Sequence, residues 1–204
     1  MTSVRIGVMG GTFDPIHNGH LVAAAEVADR LDLDRVILCP AGQPWHRAAP
    51  PVAGVHDRFA MTELAARADP RFTASRVDID RVGPTFTIDT LRDLRAGFAA
   101  HDPETSAEWY FITGADALDQ FMTWKHPLEI VELAHLVGVT RPGHGLRNPD
   151  LPDGRWTLVE IPALDISSTR IRELLANGDP VDALVPAAVA QYMERHDLYR
   201  GGPS

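Results

Sequence analysis

The sequence predicts an α/β protein built on a doubly wound, mostly parallel sheet with helices on both faces. Short apolar runs alternate with stretches of helical spacing along the chain, the pattern of strands joined by crossover helices. The first apolar run ends in a double glycine, Gly10-Gly11, and leads directly into a helix. The chemically suggestive segments, at 10–20, 40–47 and 114–116, each follow a predicted strand directly. In a parallel sheet one edge, beyond the carboxyl ends of the strands, would collect them all.

The elements follow in order. Residues 4–9 form a buried strand, and from about 18 to 31 the apolar positions Leu21, Ala24, Ala25, Ala28 and Leu31 recur at helical spacing. Residues 36–39 are a second strand stopped by Pro40, and 40–54, with Gly42, Pro44, Pro50, Pro51 and Gly54, are a loop. A helix is expected over 55–68, a strand over 72–77, a helix over 87–99 and a strand over 109–113. Two short helical segments follow near 115–122 and 127–133, then a strand over 136–140. A Pro/Gly-rich loop covers about 142–155, and a sixth strand 157–161. Helices near 168–176 and 187–195 finish the chain. There is no internal repeat and no linker, so residues 1–204 are expected to form one domain, with a helical C-terminal part from about 164.

Composition bounds the function. A chain of 204 residues with 45% hydrophobic and 23% charged residues can bury one well-formed core. No apolar stretch reaches the roughly 20 residues of a membrane span, and the N-terminus carries no secretory pattern. The single cysteine, Cys39, rules out an intrachain disulfide framework and fits a cytoplasmic protein; it is expected to be an inert core residue. A net charge of −9 without a dense Lys/Arg run argues against nucleic acid as a partner. Any anion must then be met by a local positive field. Basic residues gather at His17/His20, His46/Arg47 and Arg170/Arg172.

The string Gly10-Gly11-Thr12-Phe13-Asp14-Pro15-Ile16-His17-Asn18-Gly19-His20 has the parts of a phosphate site. Two missing Cβ atoms let backbone amides approach an anion closely, and the following helix points its N-terminus at the same spot. His17 and His20 stand three residues apart around that helix start, and Thr12 adds a hydroxyl. Imidazoles there can donate to phosphate oxygens as charge builds up in a transition state. His-x-x-His is also half of a zinc site, but no third ligand stands at a recognisable spacing. Asp14-Pro15 reads as a turn former.

A second helix start, Ile166-Ser167-Ser168-Thr169-Arg170-Ile171-Arg172, carries three hydroxyls and two arginines. Capping explains one hydroxyl; the surplus of donors and cations suits a polyphosphate. Asn177-Gly178 is its C-terminal stop.

Together the two strings resemble the signatures of the nucleotidylyltransferase superfamily, a glycine-rich turn with His-x-Gly-His and a later Ile-Ser-Ser-Thr-x-x-Arg. That resemblance implies a Rossmann-like fold. It places Gly10, Gly11, Thr12, Phe13, His17, Gly19 and His20 about ATP, with Ser167, Ser168 and Arg172 opposite, and His17, His20 and Arg172 as catalytic residues. Three further segments, Pro40 with its basic end His46-Arg47, Gly83-Pro84-Thr85-Phe86-Thr87, and Gly114-Ala115-Asp116 followed by Trp124, resemble the bacterial nicotinate-mononucleotide adenylyltransferases. The activity so implied joins ATP and nicotinate mononucleotide into deamido-NAD and pyrophosphate. His46 and Arg47 would meet phosphate, Thr87 and Trp124 would hold the nicotinate ring, and Gly114 and Asp116 would contact a ribose or the adenine side. Trp45 stands where family members often have a second proline. Asp78 and Asp80 are expected on a solvated strand end.

Chemically, the acceptor's own phosphate is the nucleophile, largely dianionic because its second pKa is about 6. The protein need only align it with the α-phosphorus of ATP and neutralise the developing charge. Mg2+ is expected to arrive carried with ATP, since no carboxylate cluster suggests a protein-built site. Two alternatives stand beside this: a related transferase with another acceptor, nicotinamide mononucleotide or phosphopantetheine, and a sensor that binds nucleotide without turnover. The phosphopantetheine enzymes typically carry Thr at the position of His17. Oligomeric state is left open by the sequence.

Overall fold

The computed structural model describes residues 3–44, 50–140, 151–152, 154–162 and 164–200. Its centre is a parallel sheet of β1 (Ser3–Gly11), β2 (Arg35–Pro40), β3 (Phe72–Ala74), β4 (Ser106–Gly114), β5 (His135–Thr140) and β6 (Trp156–Glu160). The strand order is β3-β2-β1-β4-β5-β6, all neighbours parallel. The helices are α1 (Asn18–Arg30), α2 (Val55–Ala66), α3 (Thr87–His101), α4 (Ala115–Leu118), α5 (Pro127–Leu133), α6 (Ser168–Asn177) and α7 (Ala187–Arg195), with a 3-10 turn at Phe121–Thr123. This is the doubly wound Rossmann-like arrangement expected from the alternation of elements.

Alternating residues in the central strands feed two cores. Met9 of β1, with Tyr110 and Ile112 of β4, packs on one face beneath Leu21, Ala24 and Val27 of α1, Met61 of α2, Ile171 of α6 and Val189 of α7. Ile6 and Val8, with Trp109 and Phe111, face the other way onto Ile88 and Leu91 of α3, Leu118 of α4 and Ile130 of α5. Strands buried on both faces read as continuous apolar runs, which is why they are visible in the sequence. β3 is the exception: it spans only Phe72–Ala74 rather than 72–77, because it is an edge strand paired through Val36, Ile37 and Leu38 alone.

The chain runs from β1 outward to β3, then returns to β4 on the other side of β1. Consecutive connections therefore diverge between β1 and β4, opening a crevice beyond their carboxyl ends. Gly10 and Gly11 end β1 beside Cys39 and Pro40 of β2, and Gly114 ends β4. No helix among the described residues is long and apolar enough to cross a membrane.

Candidate active site

The first wall of the crevice is the turn from β1 into α1. Phe13 takes a left-handed backbone (φ 49°) and folds its ring back under Gly11. A Cβ on Gly11 would lie 2.5 Å from that ring, so the second glycine is a steric requirement of the turn. α1 begins at Asn18 with His17 as its N-cap. The His17 backbone N–H donates to Nδ1 of His20 at 3.2 Å, and the two rings stack with centroids 3.7 Å apart. Phe13 meets the His20 ring edge-on at 5.0 Å. Desolvation, and secondarily the adjacent His17, hold the His20 pKa well below the ordinary imidazole value. His20 is thus neutral at pH 7. With Nδ1 accepting from the backbone, its proton sits on Nε2 as a donor. No group of three His, Cys, Asp or Glu suited to a metal occurs among the described residues.

The second wall is the start of α6, whose N-cap Ser167 accepts from the Arg170 N–H at 3.2 Å. Two long-range bonds then pin it to the first turn: the Ser168 hydroxyl donates to the Pro15 carbonyl at 2.9 Å, and Arg172 Nη1 donates to the Asp14 carbonyl at 2.7 Å. Arg172 Nη2 reaches Thr169 Oγ1 at 3.3 Å. Arg170 is exposed and pairs with Asp165. Between these walls lies a cleft of about 640 Å³ lined by His17, Gly19, His20, Ser167, Ser168 and Thr169, with Gly10, Gly114 and Asp116 at the sheet. The sequence strings centred on residues 17 and 168 are therefore brought together. Arg172 stands behind this lining, against Asp14.

A second, smaller cleft of about 230 Å³ opens on the other side of β1 and shares Gly10 and Thr113 with the first. Gly11, Cys39, Thr85, Thr87, Phe111 and Trp124 line it. Trp124 is held edge-on by Phe111 at 5.9 Å and tilted against Phe121 at 5.2 Å. Thr85 Oγ1 accepts from the backbone N–H groups of Gly42 and Gln43 at 3.0 and 3.2 Å, which fastens the loop after β2 to the entry of α3. Thr87 and Trp124 thus share one cleft, whereas Gly114 and Asp116 lie in the histidine cleft. Thr12 and Phe13 are buried and line neither of these clefts; the Thr12 carbonyl instead accepts from Arg58. Trp45, His46 and Arg47 lie outside the described residues.

Three buried charges support the site and are not evident from sequence. Asp14 is more than a turn former: at 1% exposure its Oδ2 accepts from Val52 N–H at 2.9 Å and its Oδ1 from Ala53 N–H at 3.0 Å and the Tyr199 hydroxyl at 2.7 Å. Arg58, also 1% exposed, donates to the carbonyls of Thr12 at 2.6 Å and Gly42 at 3.2 Å, joining the glycine turn to the loop after β2. Asp78 is not on a solvated strand end. It is buried beside the smaller cleft, accepting from Thr90 Oγ1 and Arg81 Nη1, both at 2.7 Å. Burial pushes its carboxyl pKa up, against those two donors. Asp80 is exposed and pairs with Arg76. The available sequence signal for Arg58 was its place among the apolar positions of α2, facing inward with Met61, Thr62 and Ala65.

Comparison with known proteins shows the family. Residues 8–174 match the model of the cytidylyltransferase-like family. A protein of Acidothermus cellulolyticus named "Probable nicotinate-nucleotide adenylyltransferase" is 56% identical over 197 residues, covering 96% of this chain and 94% of that one. A protein of Streptomyces coelicolor with the same name is 54% identical over 193 residues, covering 95% of this chain and all of the other. Among solved structures, nicotinic acid mononucleotide adenylyltransferase of Plasmodium falciparum complexed with NaAD superposes with a TM-score of 0.71 at 16% identity, covering 96% of this chain and 97% of that one. At that identity the likeness speaks for the fold.

Proposed function

The chain belongs to the cytidylyltransferase-like family and, within it, to the nicotinate-nucleotide adenylyltransferases, and from that membership we propose that it transfers the adenylyl group of ATP to nicotinate mononucleotide, giving deamido-NAD and pyrophosphate in NAD biosynthesis. The observation that best supports a role for this site is the meeting of the two clefts at Gly10 and Thr113. A transfer between two nucleotides needs two compartments that share one wall, and the reacting phosphorus belongs at that wall.

In this reading ATP occupies the larger cleft and the acceptor the smaller. Backbone amides of the Gly10-Gly11 turn and the helix starts of α1 and α6 face the triphosphate. His17, His20 and the hydroxyls of Ser167 and Ser168 donate to its oxygens, while Arg172 adds positive charge from behind. Asp116 suits a ribose hydroxyl. Trp124 offers its indole to the nicotinate ring beside Thr87. An oxygen of that phosphate dianion forms a bond to the α-phosphorus, and the bond from the α-phosphorus to the bridging oxygen breaks. The electron pair leaves with pyrophosphate. A neutral His20 with its proton on Nε2 donates to the charge that builds up on the phosphoryl oxygens, and does so more strongly in the transition state than in the ground state. Mg2+ in this reading travels with the ATP as part of the substrate; among the described residues the histidine cleft is lined by imidazoles and hydroxyls with the carboxylate Asp116.

The test is steady-state pyrophosphate release with ATP and, side by side, nicotinate mononucleotide, nicotinamide mononucleotide and phosphopantetheine. Turnover with the first and little with the others is expected. Preference for another acceptor would leave the adenylyl transfer and overturn the substrate, and no release with any acceptor would overturn both.

A further inference from the structure

Tyr199, beyond the last helix, is buried and donates its hydroxyl to Asp14 Oδ1 at 2.7 Å across 185 residues of sequence. It gets there through an unfavourable backbone: Asp197 and Tyr199 both adopt left-handed conformations, at φ 49° and 64°. Non-glycine residues hold that conformation where surrounding contacts over-determine it. The contact at its end is the same aspartate that sets Arg172. The Asp14 main-chain carbonyl accepts from Arg172 Nη1 at 2.7 Å, and its Oδ2 lies 3.8 Å from the same nitrogen. The remaining partners of the carboxylate, Val52 and Ala53 N–H, come from the loop ahead of α2.

From this geometry we infer that Tyr199 is a positioning residue for the transfer reaction, anchoring Asp14, whose main-chain carbonyl seats the Arg172 guanidinium behind the histidine cleft. The inference rests on the role given to Arg172 above. Without the phenol, Asp14 keeps only the Val52 and Ala53 N–H donors on its carboxylate, the residue is held less firmly, and the carbonyl that seats Arg172 is free to shift with it. The consequence falls on turnover, because small misplacements of a charge-stabilising group cost rate steeply. The phenol is available throughout the working range, since burial and the adjacent Asp14 raise its pKa well above the ordinary tyrosine value.

The experiment measures kcat, both KM values and Tm for wild type, Tyr199→Phe, Arg172→Ala and the double variant, with ATP and nicotinate mononucleotide. Tyr199→Phe is expected to lower kcat about tenfold with the KM for the mononucleotide within about twofold, and to cost nothing further in the Arg172→Ala background. Wild-type kcat in Tyr199→Phe with only a lower Tm, or losses that multiply in the double variant, would overturn the inference. Arg172→Ala at the wild-type rate would remove the role of Arg172 and the inference with it; a slow Arg172→Ala beside an unaffected Tyr199→Phe overturns the inference alone.

Discussion

Replacing His20 by alanine separates transition-state stabilisation from binding. The imidazole Nδ1 is occupied by the His17 N–H at 3.2 Å, so one donor, Nε2–H, faces the cleft. Loss of one preorganised donor to developing charge costs about 10²–10³ in kcat, or about 2.7–4 kcal/mol. ATP is also held by backbone amides, α6 hydroxyls and His17, so its KM should change by less than about threefold. The substitution has a structural cost that can be measured separately. It removes the acceptor of the His17 N–H and the stacked ring at 3.7 Å, worth about 1–2 kcal/mol. For a chain of this size that lowers Tm by roughly 2–8 °C. Pyrophosphate release at saturating ATP, run well below the lowered Tm, reads the catalytic part alone. If kcat is preserved while the KM for ATP rises, or if both change by the same factor, the transition-state role of His20 is refuted.

The other expectations concern the second cleft, the loop after β2 and pH. Trp124→Ala should raise the KM for nicotinate mononucleotide about tenfold, equivalent to about 1.4 kcal/mol, with the KM for ATP nearly unchanged; equal effects on both substrates would count against separate compartments. Gly42→Ala places a Cβ 2.2 Å from the Asp78 carbonyl oxygen, so it should destabilise by about 1–3 kcal/mol and raise the acceptor KM. Gly97→Ala, in α3 with nothing within 4 Å of the new methyl, should instead stabilise by about 0.5–1 kcal/mol without kinetic change, as paired melting curves would show. The lowered His20 pKa means the unfolded chain takes up a proton that the folded chain refuses. Its contribution is therefore complete above the ordinary value of about 6.5 and is lost as pH falls below that, toward the folded value. His20→Gln should flatten the decline of Tm in that window, and an unchanged slope would contradict the assignment.

Much of this was legible because the relevant signals are local. A double glycine between an apolar strand and a helix, His17 and His20 at a helix start, and Ser167 ahead of α6 each announce themselves within a few residues. The strands were legible because both their faces are buried. The electrostatic support was not. Asp14 and Arg58 are charged residues at 1% exposure, and what makes burial tolerable lies far along the chain: Ala53 and Tyr199 for one, Thr12 and Gly42 for the other. Asp78 misleads in part for the same reason: besides nearby Arg81, its partner Thr90 stands across a loop on α3. Nor does sequence order say on which side of β1 a loop opens. Thr113 lines both clefts, yet Gly114 and Asp116 right after it line only the histidine cleft, apart from Trp124.

The most direct test of two clefts sharing one reacting phosphorus is the fate of ATP labelled at the α-phosphate, incubated with nicotinate mononucleotide and Mg2+. The label of the ATP consumed should appear in deamido-NAD, with unlabelled pyrophosphate formed in equal amount. Label released in ADP, or a product labelled only when the γ-phosphate carries the isotope, would contradict attack at the α-phosphorus.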